Sequence, residues 1–465
     1  MRVGFVTLGC DKNTVDSERY LAQLAAYGGE HTEDLADADV IIVNTCGFID
    51  AAKRESIDAL VEAGQLKIDG ACQAVVAVGC MVERHKGELK EALPEVDVFL
   101  GASESDRLVE ELTNRGIISG ERMLEHPGVR LYTGDLPHVR YLKISEGCDH
   151  GCAFCAIPLM RGKHRSFAAE DVVREAQLLE LQGARELNLV AQDLAHYGRD
   201  VRDRNVRLPE LLEMLVAETS VPWIRLMYLY PTGITPALLE VVAREPRILA
   251  YLDMPIQHAA NAVLERMRRP ERQHTIREKV ARFRDAVPDV AIRTTCIVGF
   301  PGETDSDFEE LLQFLEEVQF ERAGVFTYSP QEGTRAALLV DDVPEWVKQD
   351  RMERLTDLQR SITAERYEAR LGRRVQALVE RADEETGLAI ARLPWQADDI
   401  DGVTYLDEPL PPGTLVEVVP RQVLDDYDFA ATVISVLDAP PRPAAEMMTR
   451  RLPLLGATSV GSFGR

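Results

Sequence analysis

At 465 residues and a formal net charge of -25, the chain is long enough for roughly two to four domains and too acidic to hold bare nucleic acid by general charge attraction. Basic partners are favoured instead, and eight scattered cysteines suggest a reducing compartment and metal chemistry rather than a disulfide scaffold. No apolar run reaches about 18 residues, so no membrane span is expected and the chain is placed in the cytoplasm.

The opening Met1 to Cys10 superficially suggests an export signal, but its apolar core is too short and it reads as a first strand. Over residues 1–125, apolar runs at Val3 to Leu8, Val40 to Asn44, Ala74 to Val78 and Val96 to Leu100 alternate with helical periodicity, as in Asp16 to Tyr27 and Glu83 to Leu93. This alternation predicts an open parallel α/β sheet domain. Three of its strands end alike, in Leu8-Gly9-Cys10, Asn44-Thr45-Cys46 and Val78-Gly79-Cys80. In a parallel sheet the three sulfurs emerge together at the carboxyl edge, where such sheets bind ligands. Three buried apolar cysteines are the plainer alternative. The repetition favours a cluster, with Gly9 and Gly79 letting the backbone turn closely around it. Cys72 lies at the other end of the Cys80 strand, some 25 Å away at about 3.3 Å per residue, and cannot join them. Cys296, inside an apolar run, is expected in the core.

A linker rich in Pro and Gly is expected at 126–137. From 138 to 371 come six strand-plus-helix units, with strands at Arg140 to Ser145, Glu186 to Val190, Ile224 to Leu229, Tyr251 to Pro255, Ala291 to Val298 and Gly324 to Tyr328. They predict a partial (β/α)6 barrel of the TIM type, whose functional residues sit on loops after the strands. Strand one runs into Cys148-Asp149-His150-Gly151-Cys152-Ala153-Phe154-Cys155, a C-x3-C-x2-C loop. Structural zinc wants four ligands and no fourth follows locally; a [4Fe-4S] cluster on three cysteines keeps one iron free for substrate. A zinc loop or a redox CxxC pair are the alternatives.

Later strand ends offer further groups. Gln192 and Asp193 could hold a cofactor or cap their loop, and the Gly299 to Glu303 turn could bring backbone close to a cofactor or simply start a helix capped by Thr304 and Asp307. His258 reads as a core histidine. A charged helical stretch, Glu345 to Leu371, closes the barrel. Residues 372–437 hold five short strands separated by turns, which predicts a small antiparallel, OB-like β-barrel. Its acidic residues, Asp383, Glu384, Glu385, Asp398, Asp399, Asp401, Asp407, Glu408, Asp425, Asp426 and Asp428, outnumber Arg381, Arg392 and Arg421. Phosphate is disfavoured there, although a plain solvated surface is the bland reading. A disordered tail is expected over 438–465.

The C-x3-C-x2-C loop after the first barrel strand resembles that of the radical S-adenosylmethionine enzymes. The remaining pattern, with a terminal module similar to TRAM, resembles the methylthiotransferases over nearly the whole chain. Gly9 to Glu18, Asn44 to Lys53, Tyr141 to Cys148 and Phe326 to Pro330 are similar to the RimO-type branch, which modifies an aspartate of small-subunit ribosomal protein twelve. Asp11, where that branch more often has proline, and Gly151, where a basic residue is common, depart from it without touching a ligand position. The resemblance implies two [4Fe-4S] clusters and S-adenosylmethionine. Cys148, Cys152 and Cys155 would hold the cluster that generates a 5'-deoxyadenosyl radical, and Cys10, Cys46 and Cys80 the one that delivers sulfur. Gln192, Asp193, Gly299 and Glu303 would contact the cofactor. No side chain is expected to act as acid or base, because the hydrogen removed from carbon has no matched pKa. The expected partners are ribosomal protein twelve or the assembled small subunit and a reducing electron donor, without direct RNA binding. A transfer-RNA adenosine methylthiotransferase and a non-enzymatic ribosome assembly factor with structural metal are the competing readings.

Overall fold

The structure, a computed structural model, describes residues 1–70, 72–119, 130–132, 136–201, 206–398 and 400–440. The expected linker at 126–137, the end of the first unit, nearly all of the tail at 438–465, and Asp399 therefore lie wholly or partly outside the described residues.

In the first unit, β1 (Arg2–Thr7), α1 (Asp11–Ala25), β2 (Glu30–Thr32), β3 (Val40–Thr45), α2 (Asp50–Asp69), β4 (Ala74–Gly79), α3 (Cys80–Ala92), β5 (Val98–Gly101) and α4 (Leu108–Asn114) follow in order. The strands form one parallel sheet, β2-β1-β3-β4-β5. Its central strands, VIIVNT and AVVAVG, are buried at every residue, as parallel strands covered on both faces must be. The edge strand β2 is short and polar, so no apolar run marks it in the sequence.

The second unit runs β6 (Val139–Lys143), β7 (Ser145–Glu146), α5 (Ile157–Arg161), β8 (Arg165–Ser166), α6 (Ala169–Leu181), β9 (Glu186–Val190), α7 (Leu208–Glu218), β10 (Trp223–Leu226), α8 (Pro236–Arg244), β11 (Ile248–Asp253), α9 (Asn261–Arg266), α10 (Gln273–Ala286), β12 (Ala291–Val298), α11 (Asp305–Val318), β13 (Arg322–Thr327) and α12 (Glu345–Glu368). Strands β6, β9, β10, β11, β12 and β13 lie side by side in chain order as an open, parallel partial barrel. Leucine, valine and isoleucine from the strands and their helices fill one continuous core.

The third unit is a closed barrel of β14 (Val375–Ala382), β15 (Ala389–Arg392), β16 (Thr404–Leu406), β17 (Leu415–Leu424) and β18 (Asp428–Asp438), ordered β14-β15-β16-β18-β17. Pairings are antiparallel except β16 with β18, which run parallel, as closure of an OB-like barrel requires. This unit packs against Trp223, Met227, Leu249, Tyr251 and Ala291 of the partial barrel. Buried Arg392 bridges Glu380 and Glu186, and Glu186 also accepts from Arg225 at 2.7 Å. Asp401 does not belong to the acidic surface: it is fully buried, accepts from Tyr251 Oη at 2.6 Å and pairs with Arg322 at 3.1 Å. A composition count cannot distinguish such a docking carboxylate from a solvated one. Among the described residues no helix is long and apolar enough to cross a membrane.

Candidate functional site

The sheet register brings the first three cysteines together. Thr7 pairs with Asn44 and Thr45 with Gly79, so β1, β3 and β4 end side by side and release Cys10, Cys46 and Cys80 at one edge. Gly9 adopts φ +95°, and a Cβ there would stand 2.9 Å from Cys46 Sγ. Gly79 adopts φ +100° against the Asn44 side chain. Both turns need glycine. Asn13 Nδ2 donates to Leu8 O at 2.6 Å and Thr45 O at 3.3 Å, and Ser56 Oγ accepts from Cys46 N at 2.9 Å, which ties the loops into one floor. Cys10 is exposed, Cys46 half-buried and Cys80 buried. Burial pushes the Cys80 thiol up to about 11 and raises that of Cys46, and neighbouring cysteines add to both. A cation bound among these sulfurs would reverse that cost.

The second trio occupies the loop between β7 and α5. Cys148 N donates to Gly162 O at 3.1 Å and Ala153 N to Met267 O at 2.9 Å, which anchors both arms of the loop. Burial pushes Cys148 up to about 11 and Cys155 up to about 12. Cys152 Sγ stands 3.9 Å from both Tyr230 Oη and Arg269 Nη1, and the Arg269 guanidinium lies 3.9 Å from the Tyr230 ring centroid. Three soft sulfurs per group, without a local fourth, suit iron-sulfur ligation.

Of the other predicted groups, Gln192 and Asp193 lie beside this loop. Asp193 Oδ2 is 2.8 Å from His150 Nε2, and its Oδ1 accepts from Ala195 N and Tyr230 N at 2.9 and 3.1 Å, so it caps its own turn as well as facing the cysteine loop. Gln192 Nε2 donates to Glu146 Oε1 at 3.0 Å. His150, Asp193 and His196 bring ligand atoms within 4.8 Å of one another.

Gly299 and Glu303 stand at the end of β12. Glu303 accepts from Phe300 N at 3.0 Å and pairs with Arg351 at 3.0 Å, Gly299 backs onto Lys348, and Thr304 and Asp307 cap α11 reciprocally. His258 is fully buried, accepts from Ala260 N at 3.0 Å, and burial lowers its pKa to about 3. Cys72 and Cys296 are buried away from both trios.

Arg269 beside Cys152 escaped the sequence reading, and so did two residues that reach between units. Arg161 Nε donates to Cys80 Sγ at 3.1 Å across the seam between the first two units. Tyr228 Oη donates to Asp11 Oδ2 at 3.0 Å, next to Cys10. The one signal for Arg161 is its place in the Pro-started turn immediately after Cys155.

Residues 2–101 match "Uncharacterized protein family UPF0004", 142–315 the "Radical SAM superfamily" and 371–434 the "TRAM domain". The chain is 45% identical to "Ribosomal protein uS12 methylthiotransferase RimO" of Anaeromyxobacter sp. (strain Fw109-5), covering 98% of this chain and 99% of that one. The chain belongs to the RimO methylthiotransferase family. The RimO proteins of Desulforudis audaxviator and Geobacter sulfurreducens are 44% and 42% identical, over 94% and 93% of this chain and 98% and 99% of theirs. In fold, the radical S-adenosylmethionine methyltransferase TsrM of Kitasatospora setae, solved with cobalamin and a [4Fe-4S] cluster, is similar at TM-score 0.53 and 14% identity, over 71% of this chain and 76% of that one. This methylthiotransferase thus carries its two cysteine trios on separate units whose carboxyl edges meet at the Arg161 and Tyr228 contacts.

Proposed function

We propose that this methylthiotransferase replaces a β-carbon hydrogen of an aspartate in small-subunit ribosomal protein twelve with a methylthio group. The near-full-length identity of 45% to a relative named for that protein substrate carries the reading. Cys148, Cys152 and Cys155 would hold one [4Fe-4S] cluster, and Cys10, Cys46 and Cys80 would hold a second. When bound, S-adenosylmethionine on the reduced open cluster supplies a carbon-centred radical able to take an unactivated hydrogen.

The chain's own residues bind, orient and exclude water. Gln192 and Asp193 face the open-iron loop, and their fixed partners limit them to orienting a polar ligand. Gly299 and Glu303 shape the β12 turn next to Phe300, which packs with Ala153 and Tyr328 beneath the same loop. Buried His258 accepts from Ala260 N at 3.0 Å and stands 3.8 Å from Glu303, and burial lowers its pKa to about 3, which suits a residue that supports the turn. Exposed Glu384, Glu385, Asp407, Glu408 and Asp425 on the third unit attract a basic protein and repel phosphate, which favours ribosomal protein over transfer RNA. A reducing electron donor completes the partners, and the work takes place in the cytoplasm.

The test is anaerobic reconstitution with iron, sulfide, S-adenosylmethionine and a chemical reductant, offered purified ribosomal protein twelve and transfer RNA together. The expected product carries one methylthio group in place of hydrogen on a single aspartate. Unmodified ribosomal protein beside a modified transfer-RNA adenosine would reject the substrate, and binding of colourless zinc instead of iron would reject the chemistry.

A further inference from the structure

Arg161 is the one described cation that hydrogen-bonds a cysteine of the first unit from the second. It ends the short helix that follows Cys155, so its backbone is fixed to the open-iron loop while its head reaches the other trio. All three guanidinium nitrogens are engaged. Nε donates to Cys80 Sγ at 3.1 Å, Nη1 to Asp16 Oδ2 at 2.6 Å and Glu146 Oε2 at 3.2 Å, and Nη2 to Asn13 Oδ1 at 2.5 Å. Lys143 joins the same carboxylates, so two cations balance two anions, and the whole group is largely withdrawn from solvent. A planar fork with every nitrogen committed has one orientation, and that orientation aims an N-H at sulfur.

A donor to a cluster-ligating thiolate withdraws electron density and favours the reduced cluster, and burial magnifies the effect. We propose that Arg161 is a positioning residue that sets the reduction potential of the Cys10/Cys46/Cys80 cluster from the barrel side, through its hydrogen bond to Cys80. This rests on the two-cluster reading above. Asp16, Glu146 and Asn13 serve as the clamp that holds the guanidinium. Loss of Arg161 removes the donor and also leaves Asp16 and Glu146 short of one counter-charge, so both consequences push the potential down.

The test uses the full chain with Cys148, Cys152 and Cys155 replaced by Ala, so that one cluster remains, with its midpoint read by redox titration and electron paramagnetic resonance. Roughly four iron atoms per chain are expected in this background. Absence of iron here would overturn the second cluster and the inference with it. Arg161→Met is expected to retain the iron and shift the reduction equilibrium at least tenfold toward the oxidised form, about 59 mV for one electron. Retained iron with an unchanged midpoint would overturn the role of Arg161 and leave the cluster reading standing. Arg161→Lys keeps the charge without the fork and is expected to fall between the two. Should Arg161→Met fail to fold, isotopically labelled arginine in the same triple-alanine background, where the Cys152 sulfur beside Arg269 is gone, gives the answer: a guanidinium nitrogen coupled to the one reduced cluster is expected, and absence of coupling overturns the inference.

Discussion

The Lys12 ammonium lies 3.2 Å from the ring centroid of Tyr228, and the same tyrosine donates from Oη to Asp11 Oδ2 at 3.0 Å. Tyr228 holds φ +62°, and its own N-H donates to Asp253 Oδ2 at 3.1 Å. Two residues on, Tyr230 touches Cys152. One strained segment after β10 therefore grips the loop that carries Cys10 and lines the loop that carries Cys152. Asp11 is the acceptor in this grip. Tyr228→Phe should cost about 1 kcal/mol in urea unfolding of the apoprotein while leaving iron content unchanged, since the ring remains under Lys12.

Replacing any one cysteine of a trio with Ala should remove roughly four of about eight iron atoms after anaerobic reconstitution, and Cys72→Ala and Cys296→Ala should remove none. Iron analysis beside the visible spectrum checks this. Loss of all iron from a single substitution would mean that the two groups do not assemble independently.

Arg392→Met strands buried Glu380 and leaves buried Glu186 with Arg225 in the joint between the third unit and the partial barrel. Breaking a buried pair from one side costs about 3–5 kcal/mol. Glu186 is held down to about 2 against burial, by Arg392 first and Arg225 next, so after the substitution a buried carboxylate keeps Arg225 and loses the stronger of its two counter-charges. Denaturant unfolding should show the loss, with limited proteolysis cutting near α12 earlier than in the parent chain.

Burial lowers His258 from its ordinary value to about 3. Between pH 6.5 and 3 the unfolded chain binds a proton that the folded chain refuses, so stability falls as pH falls through that window. His258→Asn keeps an acceptor for Ala260 N-H and does not titrate. The variant should lose about 1.4 kcal/mol less per pH unit inside the window, and match the parent slope above it, in apoprotein unfolding.

Strands covered on both faces were legible, since β9 and β12 have the limits that their apolar runs give, and the helix α8 starts at the Pro that announces it. So was the convergence of Cys10, Cys46 and Cys80, because a parallel sheet brings equivalent strand ends to one edge. Contacts made across the chain were not. Arg161 and Cys80 are 81 residues apart, and nothing local to either specifies the other. Asp401 looked like surface charge until Tyr251 and Arg322 closed over it. The short polar β2 borders a sheet without burying a side, and so leaves no periodic trace.

The most direct measurement is mass spectrometry of ribosomal protein twelve and of transfer-RNA nucleosides from cells lacking this chain and from cells in which it is restored. The account predicts a methylthio group on one aspartate that disappears and returns with the chain, while the adenosines stay unchanged. An unaltered aspartate, with or without a change in adenosine, would contradict it.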